Sequence, residues 1–344
     1  MGPKLVSTIA ICLLAVAFGV SSTGYCQSID SALLSAGKKD GELVWYSMES
    51  THIVEALRKK FEEQVPSIRL KTFRSRSSEI ANRISAEAKT ERHEFDVATV
   101  NPITAHALKS RRLIKPHLPK EAQKLLPAFR DPDSYWNSAT FSANVIGYNT
   151  KLTPVPPKAI DEFISPKWKG KVGLDTEEYE WIACELRLRG EKDGLTFLRK
   201  LSEFVVMRKG HTLGAQLTAA GEFSAFIHGN AAEFHQLKIN GAPVDMALTT
   251  PTQATPRATA LSAKSRREAA AKVFMEWLFS RETAKFITQI GRTSTRSDVE
   301  RHPAALSNKQ DFFVLADAEY FENYSKYGKL FDEIFMRRSS DWWR

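Results

Sequence analysis

The stretch Asp175-Thr-Glu-Glu-Tyr-Glu180 places four carboxylates within six residues of a basic chain, and two chemistries suit that spacing. Asp175 as a helix N-cap, with Glu178 three positions on, makes a capping arrangement, and acids in a first turn complement the helix dipole. Alternatively, Asp175, Glu178, Tyr179 and Trp181 form an acidic, aromatic wall for a cationic or hydroxylated organic ligand. An anion does not suit such a helix start. Arg74-Ser-Arg-Ser-Ser78 has the opposite character. Ser77 or Ser78 could cap the helix that follows, or the hydroxyls, backbone donors and two guanidinium groups could hold a carboxylate or phosphate. Facing each other, the two segments would suit a ligand with one positive and one negative end.

His228 reads either as a polar residue at a strand end or as a ligand contact. The segment 208–214 is a further loop into a helix, and His211, Thr212 and Gln216 read either as cleft contacts or as solvated loop residues. No Gly-x-Ser-x-Gly elbow, His-Glu-x-x-His pair or P-loop occurs in the chain, so the motifs of hydrolases, zinc proteases and nucleotide enzymes are missing. Asp175 and Glu178 could serve acid/base catalysis, but a helix start explains them without it. No catalytic residue, cofactor or metal site is expected.

These side chains need elements to hold them. Glu42–Ser47 is a strand candidate, followed by helical spacing up to Pro66. A second strand at 68–73 precedes a helix over 77–91, and a third strand at 95–100 precedes a helix over 103–113. That alternation implies a parallel sheet with covering helices, whose ligands gather at the carboxyl ends of its strands. Those ends are 47–50, 74–78 and 101–104, which adds Ser47 and Asn101 to the candidate contacts. A second α/β unit is expected from strands at 144–149, 171–175, 204–207 and 223–228 and helices at 179–189, 194–202 and 216–220. An extended, Thr- and Pro-rich stretch over 244–260 precedes a helix over 266–280, with Ala270, Val273, Phe274 and Trp277 on one face. A chain that leaves one unit near residue 142 and returns near 255 crosses twice between lobes, which makes a hinge over a cleft.

Composition bounds the reading. Hydrophobic content of 42 % and charged content of 26 % describe a globular protein. The net charge of +9 is scattered along the chain, so no nucleic-acid partner is expected. Residues 1–26 read as a cleaved signal peptide: Lys4 gives a basic start, Leu5 to Val20 an apolar run, and Ser22 to Gly24 small residues at the cut. A periplasmic location follows. A lipid anchor at Cys26 is the weaker alternative, because Tyr25 is bulky where a small residue is wanted. With Cys12 in the leader and Cys26 at the cut, Cys184 is expected to be a lone buried thiol. The aromatic run 312–335 reads as docked helices rather than a stacking platform for nucleic acid. Trp342 and Trp343 read either as a loose tail or as a latch.

Taken in order, several short segments resemble the extracellular solute-binding proteins of ABC importers, in the branch that includes ferric-iron binding proteins. They are the first strand and helix, 73–84, Asp-Pro-Asp-Ser-Tyr-Trp at 131–136, Tyr-Asn-Thr-Lys at 148–151, Ser-Pro-Lys-Trp-Lys-Gly-Lys at 165–171, 220–223, 241–244 and 269–282. The resemblance implies a type II periplasmic-binding-protein fold. That fold has two α/β lobes, each a mostly parallel sheet with flanking helices, and a ligand cleft at the hinge. It implies capture of a small solute and delivery to an ABC permease in the inner membrane, by a monomer that performs no chemistry. The expected lobes are 27–142 with 256–344, and 143–255. Iron-binding relatives carry adjacent tyrosines shortly after the segment matching Gly221-Glu222-Phe223, and residues 224–236 contain none. His228 and His235 could not replace that pair without further ligands, so ferric iron is the alternative rather than the main reading. An exported hydrolase or transferase on the same architecture, and a sensor that does not transport, are the other rivals.

Overall fold

The computed structural model describes residues 29–307, 309 and 311–336. The leader, Cys12, Cys26, Trp342 and Trp343 lie outside the described residues. Helix α1 (Ser31–Asp40) is capped by Asp30, whose carboxylate accepts from the N–H groups of Ala32 and Leu33. The chain then alternates through β1 (Glu42–Ser47), α2 (Thr51–Gln64), β2 (Arg69–Arg74), α3 (Ser77–Lys89), β3 (Val97–Val100) and α4 (Pro102–Ser110). After a short β4 (Ile114–Lys115) comes the long β5 (Asn137–Asn149), then β6 (Val172–Asp175), α5 (Tyr179–Arg189), α6 (Glu191–Leu201) and β7 (Val205–Arg208). Next come α7 (His211–Ala220), β8 (Ala225–Asn230), α8 (Ala231–Ile239), β9 (Val244–Ala247) and β10 (Thr252–Ser262). The chain finishes with α9 (Glu268–Leu278), α10 (Arg281–Gln289), β11 (Thr293–Ser294), β12 (Phe312–Phe313) and α11 (Ala318–Phe331).

The strands follow the order β2-β1-β3-β10-β5-β8-β6-β7. At one end β1 pairs in parallel with β2 and β3, and at the other β6 pairs in parallel with β7 and β8. Antiparallel β10 and β5 lie between them. The two parallel sets, each with its helices, are the two lobes of an α/β fold. Strand β5 runs through both sheets: 137–143 pairs with β10 and β11, while 144–149 pairs with β8 and β9. It begins seven residues before the expected 144. Every one of its residues is buried, so it shows no alternation of polar and apolar positions from which its start could be read. Helix α7 likewise begins at His211 rather than 216, and α8 was not foreseen.

In the first lobe, α9 lays Phe274 and Trp277 against Trp45 and Phe61, with ring centroids 5.2 to 5.3 Å apart. In the second, Gly147 lets β5 approach α8, since a Cβ at that position would stand 1.9 Å from the Phe234 ring. Cys184 is buried in α5 without a disulfide, and burial pushes its thiol well above the ordinary value. The aromatic run does dock as a helix. Tyr320, Phe331 and Phe335 join the core around Trp181 and Ile182, while Phe321 stacks on His106 of α4 at 4.5 Å. Helix α11 therefore packs mainly on the second lobe and touches the first.

Candidate ligand cleft

The carboxyl ends of β1, β2 and β3 supply one wall. Ser77 and Ser78 are the first residues of α3, and its N-cap is Arg76, with no side chain bonded there. The expected serine cap is not formed. Ser77 is buried instead, and its hydroxyl accepts the Asn101 N–H at 2.9 Å and lies 3.1 Å from the Met48 sulfur. Asn101 caps α4, its side-chain oxygen accepting the Thr104 N–H at 3.0 Å. Ser78 stays exposed at the mouth.

The floor is Arg257 of β10. Its guanidinium donates to the Ser142 hydroxyl at 2.7 Å and lies 3.7 Å from the Met48 sulfur, while its Nε is 3.9 Å from Glu49. Glu49 is itself buried, accepts from the Thr140 hydroxyl at 2.7 Å and faces Arg292 at 3.6 Å. One carboxylate thus stands between two guanidinium groups, neither in tight contact with it. Burial lowers the Arg257 pKa, Glu49 opposing and Arg292 adding to the shift.

The opposite wall comes from β6, α7 and β8. Asp175 ends β6, and its carboxylate accepts the Glu177 N–H at 3.2 Å and the Gly210 N–H at 2.9 Å. It therefore fixes the entry to α7 and does not cap α5, whose N-cap is Glu178 with no side-chain bond to the helix. The Glu178 carboxylate points to two histidines, with His228 Nδ1 at 2.5 Å and His211 Nε2 at 3.1 Å. Burial pushes Glu178 up, but the two imidazoles outweigh it and hold the carboxyl below its usual value. Burial depresses His228, yet Glu178 first and then Glu180 and Gln253 raise it above the ordinary imidazole value. His228 has φ of 60°, a conformation uncommon for a residue with a side chain.

Between the walls lies a cavity of about 1000 Å³. Arg74, Arg76 and Ser78 face Asp175, Lys209 and His211 across it. A smaller cavity of about 230 Å³ adjoins it, sharing Asn101, Asn230, Arg257 and Tyr324 and reaching Glu178, His228 and Tyr320. A third, of about 330 Å³, lies beyond His228 against Trp181, Cys184 and Gln253. The first two are built from the strand ends of both lobes, where ligands of open α/β sheets collect.

Residues 56–313 match the bacterial extracellular solute-binding protein family. The chain belongs to that family. Solved structures share its fold. Iron-bound HitA from Pseudomonas aeruginosa is 18 % identical at a TM-score of 0.75, with 85 % of this chain and 99 % of that one covered. The ferric binding protein from Campylobacter jejuni is 21 % identical at 0.73, over 85 % and 99 %. The periplasmic binding protein AfuA from Actinobacillus pleuropneumoniae, with fructose-6-phosphate bound, is 19 % identical at 0.73, over 86 % and 99 %. Among the described residues no helix is long and apolar enough to cross a membrane.

Within this solute-binding chain, Ser77, Ser78, Asn101, Asp175, Glu178 and His228 come together along the cleft. Four other candidates do not reach it. Ser47 is fully buried at the end of β1, its hydroxyl accepting the Glu49 N–H at 3.2 Å. Tyr179 packs edge-on to Phe331 and Tyr324 of α11, at 5.5 and 6.2 Å. Trp181 is 1 % exposed and its indole N–H donates to Glu185 at 3.1 Å. Gln216 is exposed on α7 and lines neither cavity of the cleft. Arg257 was missed, although it is the sole charged residue between Asp245 and Lys264, and such isolation in a strand of buried residues is a readable signal.

Glu180, beside this wall, accepts from the Thr255 hydroxyl at 3.2 Å, and burial pushes its pKa up to about 7. An acid whose pKa rises on folding keeps its proton in the native state over a range where the unfolded chain has released it. Native stability therefore falls as pH climbs from the ordinary value of 4.5 to about 7, and is level above that. Glu180→Gln escapes this loss. Its melting temperature is expected to gain on the wild type between pH 4.5 and 7, measured by paired thermal denaturation; parallel profiles would contradict the assignment.

Proposed function

We propose that the protein captures a small anionic solute in the cleft, closes by hinge motion about β5 and β10, and hands the solute to an ABC permease of the inner membrane. It works as an exported periplasmic monomer without a cofactor and performs no chemistry on its cargo. The lobes in this reading are 29–142 with 256–314, and 143–255 with 315–336, because α11 shares the core of the second. The observation that carries the anion is Arg257, a cleft guanidinium whose nearest carboxylate is 3.9 Å away and faces a second arginine. A phosphate or carboxylate would complete it with charge-assisted hydrogen bonds. Arg74, Arg76 and the start of α3 add positive potential on the same side. Glu178 does not oppose this, since His211 and His228 stand against it, and Asp175 is engaged by the N–H groups of Glu177 and Gly210. Denaturing freshly purified protein and identifying the released small molecule by mass spectrometry tests the reading: a phosphorylated or carboxylated compound is expected, and a cationic or uncharged one would contradict it.

Ferric iron is the second reading, favoured by the iron-bound relative and by Tyr320 and Tyr324 in the smaller cavity. The chain argues against it, because residues 224–236 carry no tyrosine, and Tyr320 packs its ring against Phe321, Tyr324 and Tyr327. Titration with ferric citrate is expected to give no visible phenolate-to-iron absorption band; a saturating band at one equivalent would establish iron as cargo.

A further inference from the structure

We propose that the pole of the second lobe opposite the cleft, formed by residues 151–158 and 167–171, docks on an anionic phospholipid surface. Strand β6 fixes where that pole lies: Lys171 precedes its first residue, and Asp175, on the cleft wall, is its last. Ser224, just before the parallel β8, joins Lys171 there, its N–H donating to the Lys171 carbonyl at 2.8 Å. Contact at this end of the strands therefore leaves the cleft open.

Two features of the pole point to a bilayer. The first is charge. The chain's positive charge is otherwise scattered, yet Lys151, Lys158, Lys167, Lys169 and Lys171 fall within one short stretch, and all five are exposed. Among the described residues none of the five meets a carboxylate. The two acids of the same stretch are engaged elsewhere, Asp161 by Arg189 at 2.8 Å and Glu162 by the Lys158 N–H at 2.7 Å. The second feature is an apolar tip. Leu152 is 52 % and Val155 74 % exposed, with Pro154 and Pro156 exposed beside them. Leu152 and Val155 share one open surface with Lys167 and Lys171. The loop is pinned in that position: the Asn149 side-chain oxygen accepts the N–H groups of Lys151 and Leu152 at 3.0 and 3.2 Å, and the buried Thr153 hydroxyl donates to the Ser224 carbonyl at 3.1 Å. Its prolines restrict the backbone further. Apolar side chains held out among unpaired lysines suit the headgroup layer, where the tip enters the acyl boundary and the ammonium groups meet phosphates. A free phosphate would use the lysines and leave Leu152 and Val155 in water. The proposal rests on the exported reading only for which membrane the protein meets; there, docking would keep loaded protein beside the bilayer that holds the permease.

The test floats the mature chain with vesicles of phosphatidylglycerol and phosphatidylcholine in equal parts, and with vesicles of phosphatidylcholine alone. Binding is expected to the anionic vesicles, to fall as salt rises, and to be at least tenfold weaker for Lys167→Glu combined with Lys171→Glu. Val155→Asp should weaken it without any change of cargo affinity. Lys59→Glu combined with Lys285→Glu, which makes the same change of net charge at exposed positions on α2 and α10 of the first lobe, should bind nearly as the wild type does. The preference of the wild-type protein for anionic vesicles stands as a readout even if a variant folds poorly. Absence of binding, equal binding to the neutral vesicles, or an equal loss in the first-lobe variant would overturn the proposal. Poly-glutamate bound where the vesicles are not would also overturn it and give the surface to an acidic protein.

Discussion

Arg257→Ala is expected to abolish solute capture at working concentrations while leaving the protein folded. Removing one member of a desolvated, hydrogen-bonded charge pair costs about 2 to 5 kcal/mol, which is a loss of about 30-fold to several thousand-fold in affinity. Few native contacts are lost with it. The guanidinium contacts only the Ser142 hydroxyl closely, Ser142 keeps a bond from Asn230 at 3.2 Å, and Glu49 keeps Arg292 and Thr140. Taking a half-buried cation out of the solute-free protein also removes part of a desolvation cost, so the melting temperature should change little. Arg257→Lys should recover only part of the affinity, because a point charge cannot reproduce a planar fork of donors. Calorimetric titration of the co-purifying solute against the three proteins is the check. Wild-type affinity in the alanine variant would remove the anion from the floor of the cleft.

Trp181→Ala should behave in the opposite way. The indole is 1 % exposed among Phe335, His228 and the second-lobe core, so truncation leaves a large cavity and loses a buried hydrogen bond to Glu185. A loss of about 3 to 5 kcal/mol of stability is expected, with solute affinity retained by the fraction that folds. The sequence offered Trp181 as a candidate ligand contact, which would produce weaker binding at unchanged stability. Chemical denaturation and titration on the same preparation separate the two.

The contrast between those residues shows what the chain discloses in one dimension. The order of strands and helices follows from hydrophobic period, and with it the rule that places Ser77, Ser78, Asn101 and Asp175 at strand ends. Rotation about a helix is harder to read. Tyr179, Glu180 and Trp181 follow one another at the start of α5, yet Tyr179 meets α11 and Trp181 enters the core. Nothing local decides that, because α11 comes from 130 or more residues further on. Asp175 misleads for a related reason. Its spacing to Glu178 satisfies a capping pattern, but the Gly210 N–H, 35 residues away, competes for the carboxylate. Glu178 is thereby left to the histidines, and the wall that looked purely acidic is a mixed imidazole and carboxylate surface. Arg257 was hidden by its setting in an extended Thr- and Pro-rich run, where only its isolation as a charge marks it.

The central claim is that solute is held between the lobes against Arg257, and a crystal structure of the protein with its co-purifying solute tests it most directly. The account predicts an acidic group of the solute within hydrogen-bond distance of the Arg257 guanidinium, touched from one lobe by Ser78 or Arg76 and from the other by His211. Solute seated in the cavity against Trp181 and Gln253, or bound in the cleft without contact to Arg257, would contradict it.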